Sequence, residues 1–316
     1  MSFNKFRCII KSVQVGGQIL PANQNIKHYH GIVKDDPNSV VALTFGEDEV
    51  MGLVATSEGN FNLALDKQSG YYIFYNDKNM KHRPVFTCST ETDDCSDDYS
   101  PENSTSNTTS SINSSDKIVR LYFETTRDLY EWRGNSVEAT EEYVSALYTQ
   151  VAALYRNEDI TTALWEIFMW TTYPDPFDTI YIPDYDPTVN NTLPYLNKFR
   201  ELRADFNGDL GYLLTYRQIN GGRAAGMNLC NSNKSLRLAV SGVWEPTLAV
   251  VPNFSHNVNG VTHEFGHLLG SPHTHACRWN GNNTAIDGCA QPEGNCPRPA
   301  MPQDGGTIMS YCSSSV

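Results

Sequence analysis

The segment HEFGHLLGSPH, His263 to His273, gathers residue types that hold a metal and move a proton. Side chains four apart lie on one face of a helix, so His263 and His267 present two imidazole nitrogens to one ion at roughly 2.0–2.1 Å. Gly270 follows within a turn of the second histidine. Lacking a Cβ, it takes the left-handed conformation that ends a helix, and Pro272 forbids continuation. His273 is thereby returned to the ion as a third ligand. Three neutral histidines leave a fourth position open for water, the arrangement of a catalytic rather than a closed structural zinc site. Glu264, beside the first ligand, is the expected base for the zinc-bound water, while zinc polarises the scissile carbonyl and stabilises the oxyanion. The expected chemistry is hydrolysis of peptide bonds without a covalent intermediate, with one Zn2+ as cofactor. His-Glu-x-x-His alone recurs by chance on amphipathic helices. The extended spacing adds Gly270 and His273, and Met309 in GTIMSYC adds a tight turn that gives the ligands an apolar floor.

Elements must position these groups, and 316 residues suggest two domains. Residues 96–116, almost wholly Ser, Thr, Asn and acid, read as a linker. Upstream, in 1–95, Ser39 to Phe45, Val50 to Ala55, Asn60 to Leu65 and Tyr71 to Tyr75 read as strands of a small β-rich domain. Downstream, in 117–316, Ile118 to Glu124, Ala163 to Trp170 and Tyr212 to Tyr216 read as strands. Val137 to Tyr155 and Leu193 to Phe206 read as helices. The expected fold is α/β, a mixed twisted sheet with packed helices, preceded by the β-rich part.

These motifs resemble those of the metzincin clan, and within it the chain most resembles the adamalysin/reprolysin (ADAM-like) family. LLTYRQINGGRAAGMNLC, Leu213 to Cys230, is similar to the family stretch that leads into the cleft's edge strand. The resemblance implies that Arg223, Ala224, Ala225, Gly226, Met227 and Asn228 form that strand and bind an extended peptide by strand addition. HYHGIVKDDPNSVVALTF, His28 to Phe45, looks like the family's propeptide, which implies an inhibitory prodomain over 1–95. By resemblance alone, Cys230 pairs with Cys312. The chain departs from the family in carrying Thr274 where an acidic residue usually follows the third histidine, and Ser310-Tyr311 after the turn methionine. Tyr311 is placed either to support the oxyanion or to pack as an aromatic under the site.

Eight cysteines and Asn-x-Ser/Thr sequons at Asn103, Asn107, Asn113, Asn190, Asn233, Asn253 and Asn282 point to an oxidising, secretory compartment. A secreted disulfide-bonded glycoprotein is the expectation, though no signal-peptide-like run opens the sequence, as if it were a piece of a longer chain or a gene model missing its first residues. Three cysteines lie before the linker and five after it, both odd numbers. Either a thiol is left over on each side or cysteines pair across the linker; a leftover Cys88, ahead of Cys95, is the candidate for the open zinc position, which by resemblance to similar proteases would hold a zymogen latent, and a Cys88–Cys95 disulfide is the alternative. Net charge −13 argues against nucleic acid and anionic membranes as partners, and there is no run of about 20 apolar residues to span a membrane. His28, His30 and His82 lack ligand spacing, His275 competes with His273, and His256 reads as part of a loop before the helix. Oligomeric state and any role for calcium are not legible in the residues. Two rivals persist: a non-catalytic binding module on the same fold, and the same zinc geometry acting on a non-peptide amide or ester.

Overall fold

The computed structural model describes residues 2–6, 10–47, 49–66, 69–80, 86–90, 117–181, 190–227, 229–243, 254–303 and 305–312. The linker 96–116, Cys8, His82, Cys95, Asn228 and the sequons at Asn103, Asn107, Asn113 and Asn253 lie outside the described residues. The front part carries β1 (Ser2–Phe6), β2 (Ser12–Val15), β3 (Gln18–Leu20), β4 (Lys27–Val33), β5 (Asp36–Phe45), β6 (Val50–Thr56), β7 (Gly59–Asp66) and β8 (Tyr71–Asn76). There follow β9 (Val119–Thr125), α1 (Arg127–Trp132), α2 (Val137–Asn157), β10 (Thr162–Met169), α3 (Thr192–Leu202), β11 (Leu210–Thr215), β12 (Gly222–Ala224), β13 (Leu238–Gly242) and α4 (Phe254–Leu268).

Among the described residues these strands form two sheets. The first is antiparallel, in the order β1-β4-β5-β6-β7-β8. The second runs β12-β13-β11-β9-β10-β2-β3, parallel from β13 to β2, with β12 and β3 antiparallel at its two edges. Every residue of β11 is buried, as expected for a parallel strand covered on both faces. The front part thus supplies strands to both sheets: Val13 of β2 is fully buried in the same core as Phe123 and Phe265. No helix among the described residues is long and apolar enough to cross a membrane.

α2 starts at Ser136, whose hydroxyl accepts a hydrogen bond from Ala139 N–H at 3.1 Å, and is buried along most of its length between the sheets. Tyr143, Val144, Leu147 and Val151 enter the main core. The polar residues meet the front part instead. Glu141 accepts from Asn23 N–H at 2.7 Å, and the buried Arg133 pairs with the buried Glu49. Thr149 bonds His28 Nδ1 through its hydroxyl and His30 Nε2 through its carbonyl, both at 2.7 Å. A polar contact of this kind leaves a solvated helix face if the front sheet departs.

Burial lowers both histidines to about 4, aided by His30 and Lys27 for His28, and opposed by the Thr149 carbonyl but aided by Arg156 for His30. Burial raises Glu141 to about 7. The histidines dock as neutral rings, so their contribution is intact above pH 6.5 and is lost as pH falls toward 4; Glu141 works in the opposite sense, gaining as pH drops below 7. Two groups outweigh one, and moving from pH 7 to 5 is expected to weaken docking by about 1–2 kcal/mol. Hydrogen exchange at β4, corrected for intrinsic rate, should quicken about tenfold at pH 5; His28→Gln combined with His30→Gln should reverse the change, because Glu141 alone then strengthens docking as pH falls.

Candidate metal centre and cleft

α4 forms although Ser255, Asn257, Asn259 and Gly260 are weak helix formers, because Val258, Val261, Phe265 and Leu268 recur on one face and enter the main core. His256 belongs to this helix rather than to a loop before it. The helix ends as the glycine spacing requires. Gly270 has φ +105°, its N–H donates to His267 O at 2.8 Å, and Ser271 N–H donates to Gly266 O at 2.9 Å, a Schellman pair. The chain then turns back and brings His273 beside its predecessors.

The Nε2 atoms of His263, His267 and His273 stand 3.1–3.2 Å apart. Their Nδ1 atoms are engaged elsewhere: His263 with Ile308 O at 2.7 Å, His267 with Ser271 O at 2.8 Å, and His273 with Glu293 Oε1 at 2.7 Å. Since each Nδ1 faces an acceptor, it carries the proton, and three bare Nε2 lone pairs converge. Lone pairs cannot hydrogen-bond one another; the donor set fits a cation, and three nitrogens at roughly 2.0–2.1 Å from a tetrahedral ion would be roughly 3.3 Å apart. Burial, then the neighbouring rings, lowers His263 to about 3 and His267 well below the ordinary value, so both stay neutral. With Cys88 these histidines form a set of four potential ligands within 4.8 Å of one another.

Met309 closes the floor. Thr274 N–H donates to Met309 O at 3.1 Å, and the Met309 sulfur fills the space where a side chain on Gly266 would stand. Cys312, just beyond, bridges to Cys289, and Cys277 bridges to Cys296. The Cys230–Cys312 pairing is therefore corrected: the Cα atoms of Cys289 and Cys312 lie 5.1 Å apart, within bridging reach, and Cys230 is on the exposed surface. His275 does not join the trio; it stacks on His273 at 4.9 Å and bonds Glu293 Oε1 at 3.1 Å.

Glu293 had no signal in the sequence, twenty positions after His273 in an irregular segment. Burial acts to raise its carboxyl, but hydrogen bonds from His273 and His275 hold it well below the usual range. An anion at Nδ1 fixes the ring's tautomer and strengthens Nε2 as a donor. Glu293→Gln is expected to weaken cation binding about 10- to 100-fold in competition with a chromogenic chelator; unchanged affinity would deny Glu293 this role.

Glu264 is fully buried, and burial pushes its carboxyl up to about 8. It lies under β12, where a methyl group on Gly222 would stand 2.5 Å from Glu264 Oε1. The edge strand is shorter than Arg223 to Asn228: it covers Gly222–Ala224, pairing ends at Ala224↔Ala239, and after one more bond, Ala225 N–H to Leu238 O at 2.8 Å, Gly226 and Met227 leave the sheet.

Residues 86–90 occupy the free side of β12. Gly222 N–H donates to Thr87 O at 3.0 Å, Ser89 N–H donates to Gly222 O at 3.1 Å, and the Cys88↔Gly222 bridge is parallel. Gly221, at φ +103°, has no room for a side chain against Thr87. Alternate residues of an extended segment share a face. Cys88 Sγ lies 3.4 Å from His267 Nε2, and the Thr90 hydroxyl donates to Glu264 Oε2 at 3.0 Å while accepting from Ala224 N–H at 2.8 Å. Cys88 carries no disulfide. The Tyr311 hydroxyl donates to Cys88 O at 3.0 Å and lies 3.4 Å from His273 Nε2, so it faces the centre rather than packing beneath it.

A family model described as metallo-peptidase family M12 matches residues 115–316. A search of curated proteins finds no match. Among solved structures, the chain is similar to metalloproteinase-II from Bacteroides fragilis at 11% identity, over 86% of this chain and 77% of that one, with a TM-score of 0.44.

Proposed function

The chain belongs to metallo-peptidase family M12, and from that premise we propose that it is a zinc-dependent endopeptidase acting on extended protein segments. One observation carries the reading: three bare imidazole nitrogens converge beside a buried carboxylate and beneath a strand edge able to hold a peptide. Zinc suits three nitrogen donors with an open fourth position, where it supplies Lewis acidity to water and to a carbonyl. His263, His267 and His273 hold the ion, with Gly270 and Met309 shaping the loop and floor around them. Glu264 takes the proton of the attacking water and passes it to the leaving amine. The Tyr311 hydroxyl, freed from Cys88 O, turns to the developing oxyanion. Gly222 to Ala224 pair with the substrate backbone.

Residues 1–95 act as an inhibitory prodomain, with Cys88 as the latency thiol and 96–116 as the linker. The supporting contacts are the occupation of β12 by residues 86–90 and the position of the Cys88 sulfur against the histidine trio. The two disulfides fit a secreted protein.

The test uses the full chain nicked in 96–116 by a second protease, so that both parts of the fold remain. One zinc per chain and cleavage of a denatured protein, abolished by a chelator and restored by added zinc, are expected. A chain that binds zinc and cuts nothing after nicking would be a binding module instead.

A further inference from the structure

Phe86 is the third side chain on the face that carries Cys88 and Thr90, two and four residues before them. Its ring lies over α4, 5.4 Å from the His263 ring and 6.0 Å from the His256 ring, edge-on to both. His256, Gly260 and His263 follow one another at helical spacing on a single stripe, and Gly260 is the gap in it. A methyl group on Gly260 would stand 2.7 Å from Phe86 Cε2 and 3.1 Å from Cδ2, and the three nearest atoms to that position all belong to this ring. The recess therefore exists because residue 260 has no side chain, and it is filled by an aromatic.

Phe86 comes with a segment that already takes the strand edge, the catalytic carboxylate and the fourth place at the histidine trio. It holds its pocket as a substrate residue would. Turnover requires that segment to leave, and the pocket then opens beside His263, within one side chain's reach of the reacting carbonyl. Resting on the endopeptidase reading, we infer that the Gly260 recess is the enzyme's main specificity pocket and takes an aromatic side chain from a residue flanking the scissile bond. The flat edges of His256 and His263 suit a ring, since edge-to-face contacts add to the burial of its area. A branched aliphatic residue at 260 would occupy that space.

The nicked full-length chain, loaded with zinc, is given a mixed peptide library, and cleavage sites are read by mass spectrometry. Phe, Tyr and Trp should be enriched about tenfold or more at one of the two positions flanking the cut. Gly260→Val should abolish that enrichment while peptides with small residues there are still cut. A second measurement uses the uncut chain: reaction of Cys88 with a thiol reagent should quicken about tenfold in Phe86→Ala and in Gly260→Val, and not in Phe86→Tyr. Cleavage by the parent without aromatic enrichment, or enrichment that survives Gly260→Val, overturns the pocket and leaves the endopeptidase standing. A zinc-loaded, nicked parent that cuts nothing overturns the endopeptidase reading, and the pocket falls with it.

Discussion

Replacing Glu264 with glutamine should leave zinc in place and reduce hydrolysis by about two to four orders of magnitude, the range associated with losing a general base. The two halves of this result separate the roles of neighbouring side chains. Glu264 contributes no atom to the converging nitrogen set, so affinity for the ion should change little. In the capped state its Oε2 is held by Thr90, and the Cys88 thiol lies against the same carboxylate. Both oxygens are available to water once the cap leaves. Glutamine matches the side chain in size and fills the space under Gly222, so lost activity cannot be traced to a collapsed strand edge. Burial favours the neutral acid, whereas a divalent ion nearby favours the carboxylate, and a base needs the latter. Metal analysis and kcat/KM on one peptide decide the matter. Loss of zinc together with activity would make Glu264 a structural support of the metal centre rather than its base.

What could be read from the sequence was local in the chain. His263 and His267 share a helix face, Gly270 ends that helix, and His273 follows within one loop, so spacing alone brings them together. Four strands of the front sheet, β5 to β8, and the long α2 are likewise legible, because alternation and helical periodicity are properties of short windows, whereas β1 and β4 are added by the structure. Features made by distant pairing were not visible. Nothing in Ser12 to Val15 announces that it will extend a sheet built mostly from residues beyond 118, since the register is set by β10. Glu293 reaches His273 across an irregular loop, and Cys312 finds Cys289 through the turn that Met309 makes. The edge strand implied by the resemblance, Arg223 to Asn228, runs past the pairing the fold provides, because β13 offers partners only up to its own start. His256 lies in α4 rather than in a loop before it, because core packing of Val258 and Val261 carries the helix through weak helix formers.

The uncut chain should gain peptidase activity when either Cys88 or Thr90 is altered, and the two gains should differ in what rescues them. Cys88→Ser removes the sulfur from the fourth place at the histidine trio but keeps the hydrogen bonds of residues 87 and 89 with Gly222. Thr90→Val keeps the sulfur and the shape of the side chain, but takes away the hydroxyl that both caps Glu264 and satisfies Ala224 N–H. A hydrogen bond to a charged group contributes about 1.5–3 kcal/mol, so this change alone should raise basal turnover roughly 10- to 100-fold. Thr90→Ser, which restores the hydroxyl, should bring it back. The double variant should exceed either single, because one contact acts on the metal's open position and the other on the base. These rates can be followed with a short fluorogenic peptide, with gels confirming that the chain stays intact. If Thr90→Val and Thr90→Ser behaved alike, the hydroxyl would have no part in latency; if Cys88→Ser left the uncut chain as silent as the parent, the thiol would not be what closes the site.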